Sequence, residues 1–193
     1  MENPEIEKIP PQDQEFLRRV KSEAGTTLDR CYQCYTCSNS CPIAYAMDYY
    51  PNQLIHMVRL GLKERVLRSK TIWLCVSCET CATRCPNEIE VVRLMDVLRR
   101  EALRTGVKTP VDEIPQFHRM FIREVQKRGR IFELGFLMRY KLKMGGLLSL
   151  QSIYEDGGLA LKMFFKGKLN LLHQKFDRQK EVEDICQKIL SLR

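Results

Sequence analysis

Residues 31–42 read CYQCYTCSNSCP and residues 75–86 read CVSCETCATRCP, so one spacing, C-x2-C-x2-C-x3-C-P, is written twice in 193 residues. An amphipathic stretch follows each copy. In PNQLIHMVRLGLKERVLRS the residues Leu54, Ile55, Val58, Leu62 and Val66 recur at helical intervals, and Pro51 suits a first helical turn. In NEIEVVRLMDVLRREALRTG the residues Ile89, Val92, Met95, Leu98 and Ala102 do the same, with Gly106 as the stop. Cysteine run plus helix is therefore an internal repeat. Ahead of it, PPQDQEFLRRVKSEAG predicts a short helix with Phe16, Leu17 and Val20 on one face and Gly25 at its end.

Leu, Lys, Arg, Glu and Met are abundant while aromatic content is 8%. That balance favours helices over strands, and an all-α protein is expected. A 44% hydrophobic content is enough for a core in one or two domains. The proline-marked VKTPVDEIP divides the chain into a cysteine-bearing domain with its N-terminal helix, 1–108, and a C-terminal helical extension, 109–193. The extension reads as short amphipathic segments around 115–128, 130–143, 159–166 and 178–192, separated by Gly129, Gly145 and Gly146, Gly157 and Gly158, and Gly167. Net charge is +8, and residues 114–180 hold 14 Lys and Arg against 5 Asp and Glu. This half is expected to dock acidic protein partners. Nucleic acid is not expected, because the bases are spread over amphipathic helices without a recognised binding motif.

Nine cysteines imply disulfides, metal binding or redox chemistry. The start MENPEIEKIPPQDQEF is polar and acidic, so no export signal is expected. Stretches such as GGLLSLQSIY are about half of the roughly 20 apolar residues a spanning helix requires. A cytoplasmic protein that does not span a membrane is the expectation, and there structural disulfides are rare. Structural zinc takes four ligands in two pairs and needs neither the third closely spaced cysteine nor the proline.

The spacing instead matches that of bacterial two-cluster ferredoxins, in which the fourth cysteine of each run ligates the other cluster. Three cysteines at two-residue gaps let one tight loop wrap three corners of a 4Fe-4S cluster, with amide N–H groups turned toward the sulfides. The proline then sends the fourth cysteine away. Cys31, Cys34, Cys37 and Cys85 are expected to hold one cluster, and Cys75, Cys78, Cys81 and Cys41 the other. Ferredoxins of the bacterial type put strands between their runs, whereas this spacer has helical periodicity.

CYQCYTCSNSCP, the spacer LIHMVRLGLKERVL, the segment WLCVSCETCATRCPNEIEVV, and downstream RGRIFELGFLMRYKL with LKMFFKGKLNLL resemble the α-helical ferredoxin family, in particular the HdrC subunit of heterodisulfide reductase. The resemblance implies an α-helical ferredoxin fold with two 4Fe-4S clusters. It also implies an electron-transfer subunit that relays between a flavin-bearing (HdrA-like) subunit and a Cys-Cys-Gly catalytic (HdrB-like) subunit. The chain has no Cys-Cys-Gly motif and no G-x-G-x-x-G fingerprint, so no catalytic residue is expected in it. Because the same domain serves succinate, fumarate and glycerol-3-phosphate dehydrogenases, an iron-sulfur subunit of a flavin-dependent dehydrogenase is the alternative.

Lesser features have two readings each. Cys186 falls with Val182, Ile185 and Ile189 and reads as a buried core thiol rather than a redox group. His56, His118 and His173 lack partners at ligand spacing. Trp73, Ile43 and Ile89 are either ordinary core or dry packing around a cluster. Thr36, Ser38, Ser77 and Thr80 stand within sequence reach of cluster sulfurs as hydrogen-bond donors.

Overall fold

A computed structural model of the chain describes residues 13–25, 28–145, 158, 162, 165–166 and 178–191. Among the described residues every regular element is helical and no strand is present. The chain divides into two compact units, Met1–Asp112 and Glu113–Arg193.

In the first unit, α1 (Gln14–Ala24) begins where the Asp13 carboxylate accepts from Phe16 N–H at 2.8 Å and ends at Gly25, as its sequence predicts. A 3-10 turn, Leu28–Arg30, leads into the first cysteine run, which contains the short helix α2 (Thr36–Asn39). α3 (Pro51–Arg59) follows, with Pro51 in its first turn and the Gln53 side chain accepting from Tyr50 N–H at 2.9 Å. The sequence reads as one helix from Pro51 to beyond Val66, but the structure interrupts it. Gly61 adopts φ 67°, its carbonyl accepts from Asp13 N–H at 3.0 Å, and a Cβ there would lie 3.0 Å from Asp13 N. α4 (Lys63–Leu67) resumes the apolar face, so Leu62 and Val66 are buried as the periodicity requires.

α5 (Thr71–Leu74) leads into the second run and its short helix α6 (Thr80–Thr83), which packs against α2. α7 (Val91–Thr105) is the central element. It packs against α1, α4, α5 and α6, and buries Val91, Val92, Leu94, Met95, Val97, Leu98 and Ala102. Phe16, Leu28, Leu54, Ile55, Leu67 and Ile72 complete the core, each worth about 1.5–3 kcal/mol of burial. Trp73 is 5% exposed and belongs to this core.

Asp48 ties the two halves of the repeat together. Its carboxylate accepts from the N–H groups of Lys70 (2.8 Å) and Thr71 (3.0 Å) and from the hydroxyls of Ser69 (2.7 Å) and Thr71 (2.8 Å). Burial pushes its carboxyl up, but these four donors outweigh it and hold it below the free value of 3.8. The folded value is the depressed one. The clamp therefore contributes fully above the free value and fades as pH falls through the lowered one. Asp48→Ala should cost about 1–2 kcal/mol at neutral pH and visibly less under acid conditions, as read by urea denaturation of wild type and variant side by side.

In the second unit, α8 (Glu113–Arg128) packs against both α9 (Glu133–Gly145) and α10 (Gln179–Ser191). Gly129, at φ 71°, ends α8 where the sequence places a break. Phe117 meets Phe136 and Tyr140 edge-on, at ring distances of 5.1 and 5.4 Å. Buried Glu124 is ion-paired with Arg128 and Arg139. Segment 159–166 falls largely outside the described residues.

Candidate metal centre

Both cysteine runs follow one backbone path. Gln33 and Tyr35 in the first, and Ser77 and Glu79 in the second, have φ between 53° and 69°. Each pair flanks the second cysteine of its run. A non-glycine residue held there costs about 1–3 kcal/mol, so the surrounding fold must enforce it. The alternation turns N–H groups inward on sulfur: Thr36 N–H reaches Cys34, Ser77 N–H reaches Cys75 and Thr80 N–H reaches Cys78.

The result is two cysteine-lined cavities. Cys31, Cys34, Cys37 and Cys85 stand around the first. Cys41, Cys75, Cys78 and Cys81 stand around the second. Ile89 lines the first and Ile43 the second, while Val91 lines both. Trp73 lines neither. Four thiols around each cavity are the donor set that a 4Fe-4S cluster takes.

The thiols differ by position. Cys34 and Cys78 are exposed, and the hydroxyls of Thr36 (3.3 Å) and Thr80 (3.5 Å) hold their pKa values down, assisted by backbone N–H groups. Burial pushes Cys37 and Cys75 up, and Cys81 up to about 12. Of the donors expected from sequence, Thr36 and Thr80 place hydroxyls near sulfur, whereas the Ser38 hydroxyl, 3.9 Å from Cys37 Sγ, donates to Asn52 Oδ1 at 2.6 Å. Ser77 contributes through its N–H.

Two arginines escape a reading of the cysteines alone. Arg59, at the end of α3, donates to the Cys31 carbonyl at 2.9 Å. Arg99, on α7, donates to the carbonyls of Ile72 and Cys75. Superposing the helices of the repeat pairs Leu54 with Leu94, Ile55 with Met95, Val58 with Leu98 and Arg59 with Arg99. That register was available in the sequence. Gln33 and Asn52, which both line the first cavity, were also missed.

Other expectations resolve differently. Cys186 is only half-buried. It lines a groove of about 620 Å³ with Arg123 and Lys127 of α8, while Ile185 and Ile189 are exposed. It is therefore no core thiol, because α10 does not bury that whole face on α8. His56 and His118 are exposed, and His173 lies outside the described residues. No helix among the described residues is long and apolar enough to cross a membrane.

Residues 27–89, which contain all eight repeat cysteines, match the 4Fe-4S dicluster domain. The chain is 35% identical over 98 residues to the HdrC subunit of the H(2):CoB-CoM heterodisulfide,ferredoxin reductase of Methanothermobacter marburgensis, covering 51% of this chain and 53% of that protein. It is 30% identical over 127 residues to the iron-sulfur HdrC subunit of the CoB--CoM heterodisulfide reductase of Methanopyrus kandleri (66% and 63%). With the HdrC subunit of the Ferredoxin:CoB-CoM heterodisulfide reductase of Methanosarcina acetivorans it shares 37% over 91 residues (47% and 36%). The chain thus spans about half the length of the curated relatives it matches first. It is a helical iron-sulfur protein similar to HdrC proteins over its cysteine-bearing part.

Proposed function

We propose that this chain is the electron-transfer subunit of a heterodisulfide reductase-like complex, carrying two 4Fe-4S clusters and no catalytic residue of its own. One observation carries the reading: eight cysteines stand around two adjacent cavities in two sets of three from one run and one from the other. Cys31, Cys34, Cys37 and Cys85 ligate one cluster, and Cys75, Cys78, Cys81 and Cys41 the other. When bound, the clusters supply reversible one-electron storage. The chain's residues do the rest. Val91 separates the two sites by one side chain, Ile43, Ile89 and Met95 keep water from them, and Arg59 and Arg99 fix the loops that present the first cysteine of each run.

Partners of the chemistry implied by similarity to HdrC are a flavin-bearing, HdrA-like subunit and a Cys-Cys-Gly, HdrB-like subunit. The basic second unit would meet their acidic surfaces, with Arg123, Lys127, Arg130 and Lys166 exposed or half-exposed. A cytoplasmic location is part of the same proposal. Anaerobic purification of the tagged chain should give brown protein with about eight irons, together with a flavoprotein and a Cys-Cys-Gly subunit. Recovery with a lone flavin dehydrogenase and a membrane anchor would favour the dehydrogenase reading instead, and colourless zinc protein would refute both.

A further inference from the structure

The two halves of the repeat share a backbone, yet their cavities differ in polarity. In the first, Asn52 is 3% exposed on α3, at the position that Val92 occupies on α7. Its own N–H donates to Ser38 Oγ at 3.3 Å, so the Ser38 hydroxyl proton is directed to Asn52 Oδ1 at 2.6 Å. That fixes the amide. Asn52 Nδ2 must then donate to Gln33 Oε1 at 3.0 Å, and this turns the Gln33 amide nitrogen toward Cys31 Sγ, 3.2 Å away, and the Asn52 carbonyl, 3.1 Å away. Tyr32 adds a hydroxyl to Cys34. At the corresponding positions the second run has Ser77 for Gln33, Ala82 for Ser38 and Val76 for Tyr32. The second cavity is lined, apart from its thiols, by apolar side chains.

Charge points the same way. Glu79, next to Cys78 in the chain, puts a carboxylate in the second run where the first has Tyr35. Arg59 and Arg99 serve the two first cysteines alike. The field of Arg99 on Cys75 is opposed by Asp96, its ion-pair partner at 3.0 Å.

Reduction adds negative charge to a cluster, and N–H or O–H donors aimed at its sulfurs stabilise that charge and raise its potential. We infer that the cluster held by Cys31, Cys34, Cys37 and Cys85 is the higher-potential member of the pair, and that Asn52, acting through Gln33, sets the offset. A single electron placed on the pair then resides in the first cavity, one cluster reduced and the other oxidised. The inference rests on the proposed two-cluster reading. Asn52 is a positioning residue, since Gln33 makes the contact with sulfur.

The test exchanges residues within the repeat, where both copies already tolerate them on the same backbone. Chains carrying Asn52→Val with Gln33→Ser, and separately Val92→Asn with Ser77→Gln and Ala82→Ser, are purified anaerobically, assayed for iron, and titrated redox-potentiometrically with EPR detection. Iron below about eight in the wild type would reject the two-cluster reading itself. With iron intact, the double variant should lower the higher of the two midpoints by at least a tenfold change in its reduction equilibrium, about 59 mV for one electron. The lower midpoint should stay in place. Val92→Asn with Ser77→Gln and Ala82→Ser, which rebuilds the Ser38, Asn52 and Gln33 chain in the second run, should raise the lower midpoint. If the first-cavity double variant sheds iron, Gln33→Ser alone and the second-run triple variant decide. Unmoved midpoints, or a shift of the lower midpoint by the first-cavity variants, would overturn the inference.

Discussion

Cys85→Ser should empty the cluster site of the distant Cys31, Cys34 and Cys37 while sparing the one in whose own run Cys85 lies. The cavities place Cys85 with the first run's three cysteines and Cys41 with the second run's three. Cys41→Ser should accordingly remove the cluster at Cys75, Cys78 and Cys81. In each variant about four of the eight irons should remain, with one intact 4Fe-4S signal on dithionite reduction. Because Asn52 and Gln33 border only the first cavity, the surviving signal in Cys41→Ser should be the one whose potential responds to Asn52→Val. Retention of about eight irons in either variant would show that the fourth cysteine is not a ligand.

A chain ended at Asp112 should keep both proposed clusters and their dithionite reducibility, yet lose stable association with the Cys-Cys-Gly subunit proposed as its partner. Met1–Asp112 is compact by itself and contains every repeat cysteine. In the second unit Phe121, Ile122, Leu137, Met138 and Leu142 are exposed, and Phe165 is 78% exposed. Under the proposed function such side chains, together with exposed lysines and arginines of the same unit, would supply the apolar and charged parts of a docking face. Phe136 is not among them. It is buried against Phe117 and Phe121. Pull-down of the partner at the wild-type ratio by the shortened chain, with full turnover, would reject the docking role.

That the cysteines gather about two cavities was legible because the spacing is periodic and duplicated. Helix limits at Gly25, Gly106 and Gly129 were legible because left-handed helix ends favour glycine. The break at Gly61 was hidden, since the apolar spacing runs through it unaltered and only the approach of Asp13 demands the turn. Asn52 was hidden for a different reason. A polar residue in an amphipathic helix reads as surface, and its burial becomes expected only when α3 is laid over α7 and meets Val92. Cys186 misled because its apolar neighbours on α10 suggested a buried face, whereas Ile185 and Ile189 are left in solvent.

The exchange of fourth cysteines between the runs also bears on how the unit folds. Under the ligation proposed above, one cluster links residue 31 to residue 85 and the other links residue 41 to residue 81, so the two cross-links close nested loops of chain around α3, α4 and α5. A covalent link across loops of this size removes about 4 kcal/mol of unfolded-state entropy by the chain-entropy estimate used for disulfides. Each cluster therefore acts as a staple as well as an electron site, and losing either one lengthens the tether that holds the other's ligands together. Iron loading and folding become one cooperative event. Hydrogen exchange should follow it: amides of α2 and α6, at the crossing, should lose protection together when a single cluster is removed.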